Sequence, residues 1–100
     1  MIDRVSISFK KGRKESIALF DHRGGTERVK DAQAYVTALK AEGVWADSCP
    51  LYRLEPSTVM VDYIRHATTG VSRVNRSLYV GRDSKAGDNS DNGHHVINLD

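Results

Sequence analysis

The chain has 100 residues, 39% of them hydrophobic and 28% charged, and its formal net charge is +2. This length predicts one domain over residues 1–100, with a core that forms without disulfides or metals. The ordinary apolar and charged fractions exclude wholesale disorder, and the small charge does not by itself indicate a polyanion as partner.

The cysteine content and the hydropathy pattern bear on location. Cys49 is the only cysteine, so no internal disulfide forms, which fits a reducing compartment. No apolar run approaches membrane-spanning length, and the apolar residues near the start alternate with polar ones, unlike a signal peptide. We expect a cytoplasmic protein without a membrane partner.

The first twenty residues predict a β-hairpin. Apolar and polar residues alternate over 4–10, with Val5, Ile7 and Phe9 on one face of a strand. A polar turn centred on Gly12 leads into a second strand over 15–21. That strand is apolar on both faces, so we expect it to be more buried than the first.

An amphipathic helix is predicted over 27–42. Its apolar residues recur at spacings of three and four, with Thr26 as a candidate N-cap and Gly43 as the residue that ends it. These apolar residues are Val29, Ala32, Val36 and Leu39, and Tyr35 widens the stripe.

A loop over 44–55, with a short extended piece at Leu51–Arg53, is predicted to lead into a second helix. Pro56 suits its first turn, with Ser57 or Thr58 helping to cap it, and helical spacing continues to about Ala67. Residues 58–64 also alternate and are rich in β-branched side chains, so a strand is the alternative there.

The last part of the chain predicts two more strands, over 77–82 and 94–99, after a polar linker over 70–76. The loop between the strands, 83–93, is rich in Asp, Asn and Gly and ends in Asn92–Gly93, which is typical of a tight turn. The order β-β-α-α-β-β predicts an α+β fold with two hairpins. Both helices would lie on one face of a four-stranded antiparallel sheet, whose strand order the sequence leaves open.

Metal and catalytic sites find little support in the sequence. His94 and His95 are neighbours on a predicted strand, so their side chains should point to opposite faces. Read as a calcium loop from Asp88, the chain places Leu99 where the bidentate glutamate belongs. Cys49 lacks any sign of activation. We therefore expect no cofactor, no metal and no catalytic residue; a metal site or small hydrolase built from the His and Asp side chains of 83–95 is a less favoured alternative.

A surface for a protein partner is the favoured hypothesis. The Asp21–Gly25 bend and the loop over 83–95 are irregular and polar and lie at strand ends, where loops tend to carry function. Whether the two lie together depends on the strand order. The candidate residues are His22, Arg23, Asp88, Asp91, Asn92 and His94. The oligomeric state is open, although an unpaired edge strand would allow a symmetric dimer.

Nucleic-acid binding is the alternative hypothesis. Four basic residues cluster at the tip of the first predicted hairpin, where they would contact phosphates. They are Lys10, Lys11, Arg13 and Lys14. The modest net charge and the lack of a recognised RNA- or DNA-binding motif favour the protein partner instead.

Several segments together resemble a group of short proteins from prokaryotes and their phages or prophages. The segments are Arg4–Phe9, Ala18–His22, Gly24–Gly25, Glu55–Arg65, Leu78–Gly81 and Gly87–His94. The chain departs from the group at Arg23, where an aromatic residue often follows the histidine. The resemblance implies a stand-alone domain and a mobile-element origin; it implies no activity and no binding residue.

Overall fold

The structure is a computed structural model that describes residues 2–42, 55–69 and 77–100. The predictions for Gly43, for the loop at 44–54 with Cys49, and for the linker at 70–76 lie outside the described residues. The elements are β1 (Val5–Lys11), β2 (Lys14–Glu15), β3 (Ala18–Asp21), α1 (Gly25–Glu42), α2 (Pro56–Thr68), β4 (Leu78–Gly81) and β5 (His94–Asn98).

The predicted α+β class is confirmed: two helices pack on a mostly antiparallel sheet. β2 and β3 both pair antiparallel with β1, as two parts of one hairpin arm that is interrupted at Ser16–Ile17. β4 pairs antiparallel with β3 on the far side. Across the sheet the strands therefore lie in the order β5, β1, β2 with β3, and β4.

The predicted second hairpin is wrong, because β4 and β5 do not pair with each other. β5 instead runs parallel to β1, from Ser6 opposite His94 to Lys10 opposite Asn98. Residues 82–93, which we call the crossing loop, consequently carry the chain from one edge of the sheet to the other. Parallel neighbours need a crossover, and here this loop completes it.

Both helices lie on one face of the sheet, as predicted, and share a single core with it. The side chains of Ile7, Phe9 and Leu19 point into this core from the sheet and are buried. Tyr35 contributes from α1 and Tyr63 from α2, with their ring centroids 5.1 Å apart. We refer to the opposite face of the sheet as the back face.

Residues 58–64 are helical, which decides the alternative left open by the sequence. Val59, Met60 and Tyr63 are buried on one side of α2, whereas Val61 is 60% exposed on the other. Three- and four-residue spacing therefore describes this segment, and the competing alternation does not. The helix starts after Glu55, so neither Ser57 nor Thr58 is its N-cap residue.

β3 is buried on both faces, and the crossing loop explains why. Leu19 faces the helices, while Phe20 faces the back of the sheet and is 0% exposed. The Phe20 ring stacks on Tyr79 at a centroid distance of 5.0 Å, and Gly87 lies over both rings. A Cβ at Gly87 would come within 2.7 Å of the Tyr79 ring, so a larger residue would lift the loop.

Candidate functional site

The two candidate segments meet at the start of β1. The Asp3 N–H donates to the carbonyl oxygen of His22 at 2.9 Å, and the Gly25 N–H donates to that of Asp3 at 2.9 Å. On the other side, the Asn92 N–H donates to the carbonyl oxygen of Arg4 at 2.9 Å. Residues 3–4 thus lie between the Asp21–Gly25 bend and the end of the crossing loop, and they join the two.

Arg4 holds the acidic residues of the crossing loop. Its guanidinium donates to Asp88 at 2.6 Å and to Asp91 at 2.9 Å, and its N–H donates to the same Asp91 oxygen. Bonds from Ser90 and Arg4 lower the pKa of Asp88, and bonds from Arg4 lower the pKa of Asp91. Both carboxylates already have cationic and N–H donors, so their first role is to shape the loop.

Asn92 and His94 are also engaged within the protein, whereas Arg23 is exposed. The Asn92 amide donates to the Asp3 carboxylate at 2.6 Å and to the Arg4 carbonyl oxygen at 3.0 Å. Gly93 adopts φ 76°, which agrees with the tight turn predicted at Asn92–Gly93.

Two glycines in the bend make room for carboxylates of the protein itself. A Cβ at Gly24 would come within 2.0 Å of Asp21 Oδ2, and one at Gly25 within 2.0 Å of Asp3 Oδ2. Gly25 also has φ +55°, which disfavours a side chain there. The glycine pair at the start of α1 therefore sits against two carboxylates rather than forming an open cradle for a phosphate.

Asp21 is the most heavily bonded acid among the described residues. It is 2% exposed and accepts hydrogen bonds from the Arg23 and Gly24 N–H groups, the Arg28 guanidinium and the Ser77 hydroxyl. Burial by itself would raise the pKa of Asp21, but these donors together lower it. The Arg28 side chain continues to the Tyr63 hydroxyl at 3.0 Å and so ties the bend to α2.

Arg28 also lines a groove between the two helices, which the sequence alone did not predict. The groove has a volume of about 560 Å³, and Arg28, Lys30, Asp31 and His66 contribute polar groups to it. Arg28 and Asp31 stand at helical spacing, which is the one local signal; the contacts with Asp21 and Tyr63 join distant parts of the chain. Positive and negative groups are mixed in the groove, so it specifies no class of ligand.

His94 lies in a hydrogen-bonded network on the back face. Its Nδ1 is 2.6 Å from Ser6 Oγ and its Nε2 is 3.0 Å from Ser8 Oγ. Ser8 donates to Glu15, and Asn89 donates to Ser6. Each hydroxyl has one proton, so this pattern assigns the Nε2–H tautomer to neutral His94, with Ser6 donating to Nδ1.

A hydroxyl bonded to a histidine resembles a nucleophile and its base, but access to this one is closed. Ser6 is 0% exposed, and Asn89 of the crossing loop bonds its Oγ at 2.8 Å. A substrate carbonyl has no path to that oxygen while the loop is in place. We interpret the network as structural: it satisfies two buried serines beneath the loop.

The two adjacent histidines point to opposite faces, as predicted. His94 is paired with Ser6 on the back face, whereas His95 is paired with Ile7 and places Nε2 2.9 Å from the Asn92 carbonyl oxygen. Within residues 2–42, 55–69 and 77–100, no three His, Cys, Asp or Glu side chains lie close enough to hold a metal ion.

The four basic hairpin residues are exposed at the turn between β1 and β2. Carboxylates lie among them: Lys14 Nζ is 3.0 Å from Glu55, and the Gly12 N–H donates to Asp100 at 3.2 Å. These acids reduce the positive field that a nucleic-acid backbone would meet. Nucleic-acid binding at Lys10, Lys11, Arg13 and Lys14 therefore stays a prediction.

Comparisons with known proteins add no assignment. No protein family matches the chain, and neither a curated protein nor a solved structure matches it. The resemblance to short phage and prophage proteins consequently stays a prediction. No helix among the described residues is long and apolar enough to cross a membrane.

Removing both carboxylates that bind Arg4 should loosen the crossing loop. In the double variant Asp88→Ala and Asp91→Ala, we expect faster hydrogen exchange across residues 83–93, because the loop loses its ties to β1. Exchange in α1 should stay as in the parent chain. Glu27→Ala, which removes an exposed acid of α1, is the control. Unchanged exchange in the loop would show that other contacts hold it.

Proposed function

We propose that this chain is a small binding domain that acts through a protein partner, and that the partner adds a strand to an open edge of its sheet. The observation that supports this is the pairing of the two outer strands of the sheet. Among the described residues, β4 pairs only with β3 and β5 pairs only with β1. Each outer strand therefore has one side along which no described strand lies.

The hydrogen-bonding groups of these edges point outward. The His22 N–H donates to the Ser77 carbonyl oxygen at 2.9 Å, so the peptide groups of Leu78 and Val80 point away from β3. An extended segment of another protein can accept and donate hydrogen bonds there. This is strand addition, in which main-chain bonds give affinity and side chains give specificity.

Neither edge strand carries the side chains that often prevent such pairing. Natural sheets block their edges with lysine, proline or inward-pointing charge. β4 reads Leu-Tyr-Val-Gly and β5 reads His-His-Val-Ile-Asn, without lysine, proline or an acidic residue. Val80 is 52% exposed on β4 and Val96 is 48% exposed on β5, so each edge also offers apolar surface.

Two of the site residues proposed from the sequence, Asp88 and Asp91, support these edges, and Arg4 pairs with both of their carboxylates. The crossing loop connects β4 to β5, and Arg4 fixes it through Asp88 and Asp91. A loop held in this way keeps both edge strands in place before a partner arrives, which lowers the entropic cost of binding.

Capture of the partner tests the proposal at β4. The tagged chain should retain a stoichiometric protein from an extract of its own organism, and the isolated partner should then bind the pure chain in a titration. Val80→Lys should weaken that binding roughly tenfold or more, because it places a charge on the edge that the new strand must cover.

Val61→Lys is the matched control, since Val61 is 60% exposed against 52% for Val80 but lies on the outer side of α2. It should bind the partner like the parent chain. Equal affinities for the parent, Val80→Lys and Val61→Lys would reject strand addition at β4. If Val61→Lys alone loses affinity, the partner binds the helical side.

A further inference from the structure

The edge formed by β5 fits a second copy of the same chain. Backbone bonds between β5 and β1 run from the Ser6 N–H to the Gly93 carbonyl oxygen and from the Leu99 N–H to that of Lys10. Peptide groups alternate in direction along a strand, so those of His94, Val96 and Asn98 point away from β1. The peptide groups that point outward are therefore placed symmetrically about Val96.

We propose that two copies pair antiparallel through β5, about a two-fold axis that passes beside Val96 and continues one sheet through both. This inference rests on the proposed function, in which sheet edges bind strands, and it names the partner at one edge. Val96 would face Val96 of the second chain. His94 would face Asn98 of that chain, and His95 would face its Ile97. The register follows from the two-fold symmetry.

The side chains in this register are compatible with one another. No ionised side chain of β5 faces one of like charge, because the strand holds no Lys, Arg, Asp or Glu. Beyond it, the Asp100 carboxylate comes opposite neutral Asn92 of the other copy. Each Val96, 48% exposed in the single chain, covers the other on the back face.

A second copy fits this edge better than a strand of unrelated sequence. Val96 is the one large apolar side chain that β5 exposes among the described residues, and the two-fold axis buries it against its equal. The His94 ring bonds inward to Ser6 and Ser8, so it offers a foreign strand no ring nitrogen for specific recognition. Pairing of β5 with β4 of another copy would be head-to-tail and would build rings or open chains rather than a two-fold dimer.

Charge exchange at Val96 tests the two-fold axis directly. The pure parent chain should sediment with twice the mass of one chain at micromolar concentration. Val96→Lys and Val96→Glu should each sediment as single chains, because each places two like charges against one another. Mixed in equal amounts, the two variants should again give the double mass, because the opposite charges then meet across the axis.

A disulfide provides a second readout that does not depend on disrupting the strand. Residues at the axis form a hydrogen-bonded antiparallel pair with Cα atoms about 5.5 Å apart, a separation that a disulfide spans. Val96→Cys in a Cys49→Ser background should therefore cross-link two chains under mild oxidation. Val61→Cys in the same background is the control and should not.

The outcomes separate this inference from the wider proposal. A parent chain that stays single up to about 100 µM, or a dimer whose variants fail to recombine on mixing, would overturn pairing through β5. Both experiments use the pure chain alone. Loss of a captured partner in Val80→Lys would still support strand addition at β4 after either result, whereas failure of both tests would reject strand addition at β4 together with self-pairing at β5.

Discussion

Replacing Asp21 with alanine should destabilise the fold by about 3–5 kcal/mol, because it removes the buried carboxylate that Arg28 binds and leaves this arginine only the half-exposed Asp31, 3.6 Å away. The Arg28 side chain is 13% exposed and its Nε lies 2.9 Å from Asp21 Oδ2. The same change removes the acceptor for two N–H groups of the bend. Chemical denaturation at fixed protein concentration measures the difference in the free energy of unfolding.

The control for this experiment is Glu27→Ala, which breaks an exposed pair with Lys30 in the same helix. Exposed pairs contribute little, so its cost should stay below about 1 kcal/mol. A cost for Asp21→Ala as small as that of the control would mean that water or another group takes over the bonds to Arg28. Asp21→Asn keeps the shape of the side chain, so its cost in stability should fall between those of Asp21→Ala and Glu27→Ala.

The pH dependence provides an independent readout of the same carboxylate. The folded protein lowers the pKa of Asp21 below its ordinary value of 3.8. Its ionisation therefore adds stability that is complete above the ordinary pKa and is lost as the pH falls through the lower, folded value. The parent chain should lose stability more steeply than Asp21→Ala across that acidic window. The pKa values of Asp88 and Asp91 are lowered too, so their ionisation also adds stability that is lost at acidic pH.

The elements that the sequence predicted well are those whose signal is local. The spacing of Val29, Ala32 and Val36 reports the buried side of α1, and alternation of Val5 with Ile7 reports the buried face of β1. In both cases the period follows from the geometry of a single element. The fold class and the helical faces follow directly from such periods.

The pairing of β5 could not be predicted in this way. An Asp-, Asn- and Gly-rich loop has the same composition whether it closes a hairpin or crosses a sheet face. What decides between the two is the set of contacts between Arg4 and Asp88, and between Ser6 and Asn89, which are 84 and 83 residues apart. No local pattern carries that information. A hairpin loop accepts a glycine at any position. In the crossing loop a glycine is needed at position 87, because Gly87 lies on the ring of Tyr79.

The candidate site illustrates the same division. Sequence reasoning identified the Asp21–Gly25 bend and the 83–95 loop from their composition, and the structure shows that they meet at residues 3–4. It did not identify Arg4, because a lone arginine at the start of a strand looks like an ordinary exposed residue. The partner that gives Arg4 its role lies at the other end of the chain.

Tyr63→Ala should destabilise the fold by about 3–5 kcal/mol, the cost typical of removing a large buried aromatic side chain. Tyr63 is 0% exposed, and its ring meets Phe9 edge-on at 5.7 Å and Tyr35 at 5.1 Å. It therefore joins the sheet, α1 and α2 in one contact. Chemical denaturation at fixed protein concentration again gives the change.

Tyr63→Phe divides that cost into packing and hydrogen bonding. The hydroxyl donates to Asp31 at 2.7 Å and accepts from Arg28 at 3.0 Å, and its burial raises the pKa of the phenol. Losing bonds to two charged groups should cost about 1.5–3 kcal/mol, with the ring packing retained. Val61→Ala, on the exposed side of the same helix, should change stability by no more than about 0.5 kcal/mol. If Tyr63→Phe changed the free energy of unfolding as little as Val61→Ala does, the hydroxyl would add nothing to the link between the Asp21–Gly25 bend and α2. The stability that Asp21 provides would then have to come from the bend alone.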